Sequence, residues 1–157
     1  MQAAKTNVMR VFDAHKFGYE CFTYTADPSM SGVDVACEIG LDADSVFKTL
    51  VARCRSGKIC VFMVPVAKEL DLKKAALVSG EKSVSMLKSK ELLGVTGYVH
   101  GGCSPVGMKK IFDTYIDESA AKYERITFSA GRIGTQLRVR LSDLMKVAEF
   151  RLCDLAK

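Results

Sequence analysis

The sequence predicts an α/β fold of the α+β type, with a mixed β-sheet flanked by helices. Segments with a helical spacing of apolar residues alternate with short β-rich runs along the chain. Turn residues separate these segments, and no linker, low-complexity stretch or repeat divides them. The 157 residues, 48% of them hydrophobic, can bury a sizeable core, so we expect a single domain over residues 1–157.

The first half of the chain predicts two helices, a strand and a hairpin. The helices are indicated by apolar spacing and by glycines that stop them, and the strands by runs of β-branched residues. In chain order, the predicted elements are a helix at 5–16 stopped by Gly18, a strand at 19–24, a helix from the N-cap Ser31 to about residue 39 closed by Gly40, and strands at 46–54 and 58–64 joined by a turn at 55–57.

The second half continues the alternation and ends in a helix. In chain order, it predicts a helix at 70–77 with Asp71 near its start and Gly80 beyond its end, a short helix at 89–93, strands at 111–116 and 125–129, a turn at 131–134, a strand at 136–141, and a last helix from the N-cap Ser142 to about residue 150. The adjacent carboxylates Asp117 and Glu118 would point to opposite faces of a strand. We therefore expect them to start a helix rather than to act as an acid/base pair.

Composition excludes several classes of protein. The six cysteines form no Cys-x-x-Cys pair, which argues against a zinc site or a disulfide framework and for reduced thiols in a cytoplasmic protein. No apolar run approaches the about 18 residues of a membrane span, and no signal-peptide core opens the chain. A net charge of +5 is a moderate basic excess, compatible with a polyanionic partner.

Lys48 is the first candidate functional residue. It lies in the β-rich run Val46-Phe47-Lys48-Thr49-Leu50, where alternate side chains share a face. Lys48 therefore shares a face with Val46 and Leu50, among apolar neighbours. Such a lysine must reach solvent, pair with an anion, or line a cavity. The alternative interpretation is that Lys48 lies on an edge strand, reaches water with its ammonium group and has no functional role.

A glycine-rich loop is the second candidate. The run Gly101-Gly102-Cys103-Ser104-Pro105-Val106-Gly107 is a tight loop in which glycines let a ligand approach the backbone and its N–H groups. Met108 follows the last glycine, so the run is not a Walker-type phosphate loop. An ordinary turn is the alternative interpretation.

The third candidate is the segment Ser129-Ala130-Gly131, whose small residues leave room for a ligand at a strand end. Ser129 is a weak candidate nucleophile, because the Gly-x-Ser-x-Gly motif is absent and the chain has only two histidines. His100 stands three residues before Cys103, which permits a Cys–His pair, but nothing else in the sequence indicates an activated thiolate.

Together these segments resemble the YbaK/EbsC family of Cys-tRNA(Pro) deacylases, which is related to the editing domain of bacterial prolyl-tRNA synthetase. The resemblance covers nearly the whole chain. Its most specific parts are the Phe-Lys-Thr-Leu strand at 47–50 and the loop at 101–107. The sequence departs from the family pattern at Cys103, where relatives often carry an apolar residue, and at Gln136, where some carry an acidic one. The loop at 27–30 lacks an aromatic residue seen in some relatives.

The resemblance implies a compact domain with a barrel-like core, whose pocket receives the aminoacylated 3′ end of tRNA. It implies trans-editing of Cys-tRNA(Pro) in the cytoplasm, in which the substrate's own thiol attacks the ester, without metal or cofactor and with prolyl-tRNA synthetase as a partner. It assigns the catalytic role to Lys48. The residues it places around the substrate are Tyr24, Thr49, Gly101, Gly102, Ser104, Pro105, Ser129 and Gly131.

Two alternatives stay open from the sequence. The chain is a deacylase for another small amino acid, on Ala-tRNA(Pro) or Ser-tRNA, because pockets discriminate poorly between small side chains. Otherwise it is a non-catalytic module that binds tRNA ends or a synthetase. Release of the amino acid as a cyclised product would make the reaction lyase-like rather than a simple ester hydrolysis.

Overall fold

The computed structural model describes residues 4–157. Within this range eight strands and five α-helices form, together with two 3₁₀ helices at Ala43–Ser45 and Glu118–Lys122. The strands are β1 (Glu20–Thr23), β2 (Phe47–Cys54), β3 (Ile59–Pro65), β4 (Val84–Met86), β5 (Asp113–Asp117), β6 (Arg125–Ser129), β7 (Thr135–Arg140) and β8 (Phe150–Cys153). The helices are α1 (Asn7–Ala14), α2 (Gly32–Glu38), α3 (Leu72–Ser79), α4 (Ser89–Thr96) and α5 (Leu141–Val147).

Two sheets meet at one strand end. The smaller sheet has the order β1-β7-β6 and is antiparallel. The larger has the order β4-β2-β3-β5-β8 and is mixed, because β5 runs parallel to both β3 and β8. A parallel bridge between Val46, just before β2, and Thr127 in β6 joins the sheets. The predicted α/β fold with a mixed sheet is confirmed.

Side-chain alternation along β2 divides the core into two clusters. Phe47 and Val51 point into a cluster that also holds the apolar side of α1 and the inner side chains of β6 and β7. Ala52 and Cys54 point to the opposite face, where Ala75 of α3 packs. Lys48 lies on this second face by the same alternation, as the sequence predicted.

Helix ends follow the predicted capping chemistry in α2 and α3. Ser31 and Asp34 form a reciprocal capping box at the start of α2. Asp71 caps α3 by accepting from the N–H groups of its first turn, and Gly80 ends that helix with a left-handed φ of 71°. Asp117 caps the 3₁₀ helix that follows β5, which confirms a helix-start role for this carboxylate.

Both predicted ends of the last helix are wrong. The helix begins at Leu141, whose N–H donates to Glu124, so Ser142 lies inside the helix and does not cap it. It stops at Val147, and Phe150 instead starts β8, where its buried ring joins the core. Parallel pairing with β5 imposes this strand. Strand β4 was missed as well, because its three residues carry too little alternation to predict a strand.

The predicted strand at 111–116 also starts too early. Pairing of β5 with β3 begins at Cys60 and Asp113, so the preceding residues have no strand beside them. Ile111 is fully exposed as a result. Between Ala4 and Lys157, no helix has both the length and the apolar character needed to cross a membrane.

Candidate active site

Lys48 is half-buried near the start of β2. It pairs across the sheet with Val64 and shares its face with Leu50 and Ala52. No carboxylate of residues 4–157 lies within ion-pair distance of its ammonium group. The lysine is therefore a cation at the border of an apolar surface, available to an anionic or electron-rich ligand.

The bridge between Val46 and Thr127 brings Lys48 toward Ser129. Lys48 and Ser129 each lie two residues beyond this bridge, on strands that run parallel. Because side chains alternate, Lys48 is on the same side as Val46, and Ser129 on the same side as Thr127. Two of the predicted site residues thus face the same side of the junction between the sheets.

Polar side chains continue from this junction across the smaller sheet. Ser129 pairs across the strands with Gln136, and Gln136 pairs with Phe22 of β1. Thr127 and Gln136 are almost fully buried on this face. The Thr127 hydroxyl is fully enclosed without a partner among residues 4–157. The Gln136 carboxamide also makes no hydrogen bond in that range, but its polar atoms are not enclosed and stay reachable from the surface. Thr127 was not predicted as a site residue, although alternation with Ser129 along β6 would have indicated it.

The glycine-rich loop packs directly on the turn that follows Ser129. A Cβ atom on Gly102 would lie 2.9 Å from the nitrogen of Ile133 and 3.0 Å from the carbonyl carbon of Arg132. Gly101 has a left-handed φ of 87° and lies beside the Ile133 side chain. Only glycine permits this close approach, so the loop and the turn form one continuous surface.

Contacts from the N-terminal helix and from Tyr98 hold the loop and the turn in place. Gly131 has a φ of 99°, and a Cβ atom there would lie 3.1 Å from Val8 and 3.2 Å from the Tyr98 ring. The Tyr98 hydroxyl donates to the carbonyl of Val106, and the Asn7 amide lies at the carbonyl of Gly107. The two segments are therefore fixed against one another before any ligand binds.

Backbone donors in the loop are left open. Ser104 is fully buried, and its hydroxyl accepts from the N–H of Val106, while the Gly102 N–H donates to Val99. The N–H groups of Cys103 and Ser104 donate to no acceptor within residues 4–157. Ser104 has no exposed surface, whereas Cys103 keeps a small exposed fraction, so the Cys103 N–H is the candidate donor to a ligand oxygen. Pro105 is buried next to them and limits the conformations of the loop.

Cys103 lacks the properties of a nucleophile. It is buried, and this burial raises the pKa of its thiol to about 12. At neutral pH the thiolate form is then negligible. His100 is exposed rather than enclosed with Cys103. The structure therefore gives no support to a Cys–His pair in this loop.

Tyr24 and Thr49 lie at the margins of this region. The Tyr24 N–H donates to the carbonyl of Gly134 at 3.0 Å, which ties the residue after β1 to the turn. Thr49 points away from Lys48, toward the core face of β2, and its buried hydroxyl has no partner among residues 4–157. Its side chain is thus not grouped with Lys48, although its backbone is adjacent.

Three surface clefts lie away from Lys48 and the glycine-rich loop. A cleft of about 670 Å³ is formed by the loop after Tyr24 and by α2, and none of the predicted site residues lines it; its residues are Thr25, Ala26, Asp27, Met30, Asp34, Cys37 and Glu38. Two further clefts, of about 540 and 370 Å³, are also formed without Lys48. No group of three or more His, Cys, Asp or Glu side chains within residues 4–157 is arranged to hold a metal ion.

The sequence and the fold are both similar to known editing proteins. Residues 27–147 match the family model of the aminoacyl-tRNA editing domain. The chain is 43% identical over 136 residues to EbsC of Enterococcus faecalis, provisionally named a deacylase of Cys-tRNA(Pro) and Cys-tRNA(Cys), and this match covers 86% of the chain and 83% of EbsC. It is 33% identical over 110 residues to the proline–tRNA ligase of Shouchella clausii, covering 69% of the chain and 19% of the ligase.

A solved structure shares the whole fold. It is described as a candidate trans-editing enzyme for prolyl-tRNA synthetase, and it superimposes with a TM-score of 0.83 over 98% of this chain and 99% of that one, at 22% sequence identity. The resemblance predicted from the motifs is confirmed, and the chain belongs to the aminoacyl-tRNA editing domain family.

Proposed function

We propose that this protein removes the amino acid from mischarged tRNA, with Cys-tRNA(Pro) as its main substrate. The observation that carries the proposal is the convergence at the end of β6. There Ser129 faces the same side as Lys48, and the turn that follows packs against Gly102. A cation and an unpaired backbone donor on adjoining segments suit an ester whose carbonyl oxygen gains negative charge during reaction.

The aminoacyl ester needs only modest assistance, because it is already activated. In this proposal the Cys103 N–H group stabilises the oxyanion that forms on the carbonyl. Lys48 is suited to orient the terminal ribose and to donate a proton to the departing oxygen. The Ser129 hydroxyl accepts from the N–H of Gly131 at 3.2 Å, which leaves its O–H free to donate a hydrogen bond. It is a less suitable proton donor than Lys48, because a serine hydroxyl is a far weaker acid than an ammonium group.

The attacking group in this proposal belongs to the substrate. Its cysteine sulfur attacks the ester carbonyl, the bond between carbonyl carbon and ribose oxygen breaks, and the thiol proton ends on that oxygen. The products are tRNA with a free 3′ end and a cyclic thiolactone, which water opens to cysteine. The raised pKa of Cys103 supports this route, since it leaves the loop without an enzyme thiolate.

The partner in this proposal is the aminoacylated 3′ end of tRNA, with prolyl-tRNA synthetase supplying recognition of the tRNA body. The similarity to part of a proline–tRNA ligase supports the synthetase as a partner. The net charge of +5 fits binding of a nucleic-acid end through a few phosphate contacts.

Deacylation assays with the purified protein test the function. We expect rapid release of cysteine from Cys-tRNA(Pro), slower release from Ala-tRNA(Pro) and Ser-tRNA(Pro), and none from Pro-tRNA(Pro). Faster cleavage of the alanyl or seryl ester would support the alternative specificity. Binding of aminoacyl-tRNA without release from any of them would instead identify a non-catalytic module.

A further inference from the structure

We propose that Gln136 is a specificity-determining residue that donates a hydrogen bond from its Nε2 amide to the sulfur of the cysteinyl substrate. This inference rests on the proposed function and deepens it. The carboxamide favours the thiolate form of the substrate, and so selects an amino acid that carries a thiol. Alanyl and seryl groups gain less from this contact, because neither side chain ionises near neutral pH as a thiol does.

The first evidence is the unfulfilled hydrogen-bonding capacity of Gln136. Only 7% of the residue is exposed, and the carboxamide finds no partner within residues 4–157. Among the described residues the polar side-chain atoms that are fully enclosed without a partner belong to Thr49, Ser119 and Thr127, so the Gln136 amide atoms are not sealed in and stay reachable from the surface. A largely buried carboxamide with a free amide donor and a reachable tip is suited to contact a ligand.

The second evidence is its position. Gln136 lies directly across from Ser129, and side chains opposite one another on neighbouring strands are about 5 Å apart at Cβ. Ser129 in turn faces the same side of the sheet junction as Lys48. On its other side Gln136 pairs with Phe22, a half-buried ring that gives this end of the face an apolar wall.

The charges around Gln136 favour an anion over a cation. Lys48 is the nearest charged group on β2, and Arg138 follows Gln136 on the same face of β7. Glu20 lies opposite Arg138 in this row, and it forms ion pairs with Arg125 at 2.7 Å and with Arg138 at 4.0 Å. Arg138 is therefore partly neutralised, and a thiolate placed here has the Gln136 amide donor and Lys48 as its favourable partners.

Two substitutions of nearly unchanged size separate a ligand contact from a structural role. Gln136→Leu removes the donor, and Gln136→Glu replaces it with an acceptor that repels a thiolate. The probes are 3′-cysteinylamino-3′-deoxyadenosine and its alanyl counterpart, which carry an amide in place of the ester and cannot be turned over. Affinities are measured by calorimetry at pH values on both sides of about 8.5, the ordinary thiol pKa.

We expect the wild-type protein to prefer the cysteinyl probe increasingly as the pH rises through that value. In Gln136→Glu the preference falls by about 10- to 100-fold, the range for a lost hydrogen bond to a charged group. In Gln136→Leu it falls less, and the melting temperature stays close to that of the wild type, because the carboxamide has no hydrogen bond within residues 4–157 to lose.

Three outcomes overturn the inference. Equal affinity of the wild type for the two probes at every pH would show that the protein makes no contact that depends on the thiol. An unchanged preference in Gln136→Glu would show that Gln136 does not donate a hydrogen bond to the sulfur. Tighter binding of both probes by Gln136→Glu would show that the residue accepts from the α-ammonium group instead. A thiol-dependent preference without turnover of any aminoacyl-tRNA would contradict the proposed function alone.

Discussion

Gly102 packs against Ile133 so closely that a Cβ atom on the glycine would lie 2.9 Å from the isoleucine nitrogen. The contact is backbone to backbone, so no side chain can move aside to relieve a larger residue. It holds the glycine-rich loop on the turn that follows β6, the strand that ends at Ser129. Both the stability and the activity should therefore depend on it.

Gly102→Ala should lower the free energy of unfolding by about 1–3 kcal/mol and reduce deacylation, since the added methyl group must push the turn away. Chemical denaturation and the cysteine-release assay measure the two effects. Gly94→Ala is the matched control, because this helical glycine has nothing within 4 Å of its Cβ position. It should leave activity unchanged and stabilise α4 by about 0.5–1 kcal/mol. Equal effects of the two substitutions would contradict the importance of the contact.

Lys48→Ala should reduce deacylation by about 100-fold or more without loss of stability. The reduction is the size expected when a proton donor or positioned cation is lost. Stability holds because the lysine is half-buried and has no ion pair in residues 4–157 to lose. Single-turnover cysteine release and thermal unfolding give the two values.

Lys82→Ala is the control for Lys48. Lys82 is exposed and lies just before β4, which pairs with the far end of β2, about 20 Å from Lys48 along the strand. It should leave both measurements unchanged. Wild-type turnover in Lys48→Ala would make this lysine a structural surface residue, the alternative that the sequence left open.

Asp117 should make the free energy of unfolding depend on pH in the acidic range. Burial by itself raises the pKa of Asp117, but hydrogen bonds from Ser119, Leu155 and Ala156 outweigh it and leave this pKa below its ordinary value. A lowered folded pKa means that the stabilisation is present above the ordinary aspartate pKa and is lost as the pH falls through the folded value. Urea unfolding should therefore show falling stability below about pH 4.

Asp117→Asn is the variant that isolates this effect. The amide has one oxygen for three backbone donors, so at pH 7 it should be less stable than the wild type by about 1–3 kcal/mol. The difference between the two proteins should shrink toward pH 2, where the wild-type carboxylate is protonated. A difference that stays constant across this range would show that Asp117 does not hold the C-terminal segment through its charge.

Local rules predicted the parts of the site that depend on local sequence. The alternation of side chains along β2 predicted which face of the strand carries Lys48. The spacing of the glycines predicted the loop at 101–107 and the turn at 131–134. Capping chemistry gave the starts of α2 and α3 for the same reason, because each cap involves residues within one helical turn.

Features that depend on distant pairing were not predictable. The bridge between Val46 and Thr127 joins residues from opposite halves of the chain, and nothing in either segment indicates the other. Strand β8 exists because β5 offers it a parallel edge, so the sequence around Phe150 was interpreted as the end of a helix. The unpaired carboxamide of Gln136 likewise becomes visible only once its neighbours across the sheet are known.

Cys103→Ala tests whether the nucleophile belongs to the enzyme or to the substrate. Burial raises the pKa of the Cys103 thiol to about 12, so at neutral pH this residue is a neutral side chain in the core. The variant should therefore keep its turnover of Cys-tRNA(Pro), with a stability loss of about 1 kcal/mol from the smaller side chain.

In parallel, Ser-tRNA(Pro) should be cleaved far more slowly than Cys-tRNA(Pro) by the wild type, since a hydroxyl is a much weaker nucleophile than a partly ionised thiol. Both substrates are compared at matched concentrations in one release assay. An inactive but folded Cys103→Ala protein, or equal rates for the seryl and cysteinyl esters, would overturn the substrate-thiol mechanism.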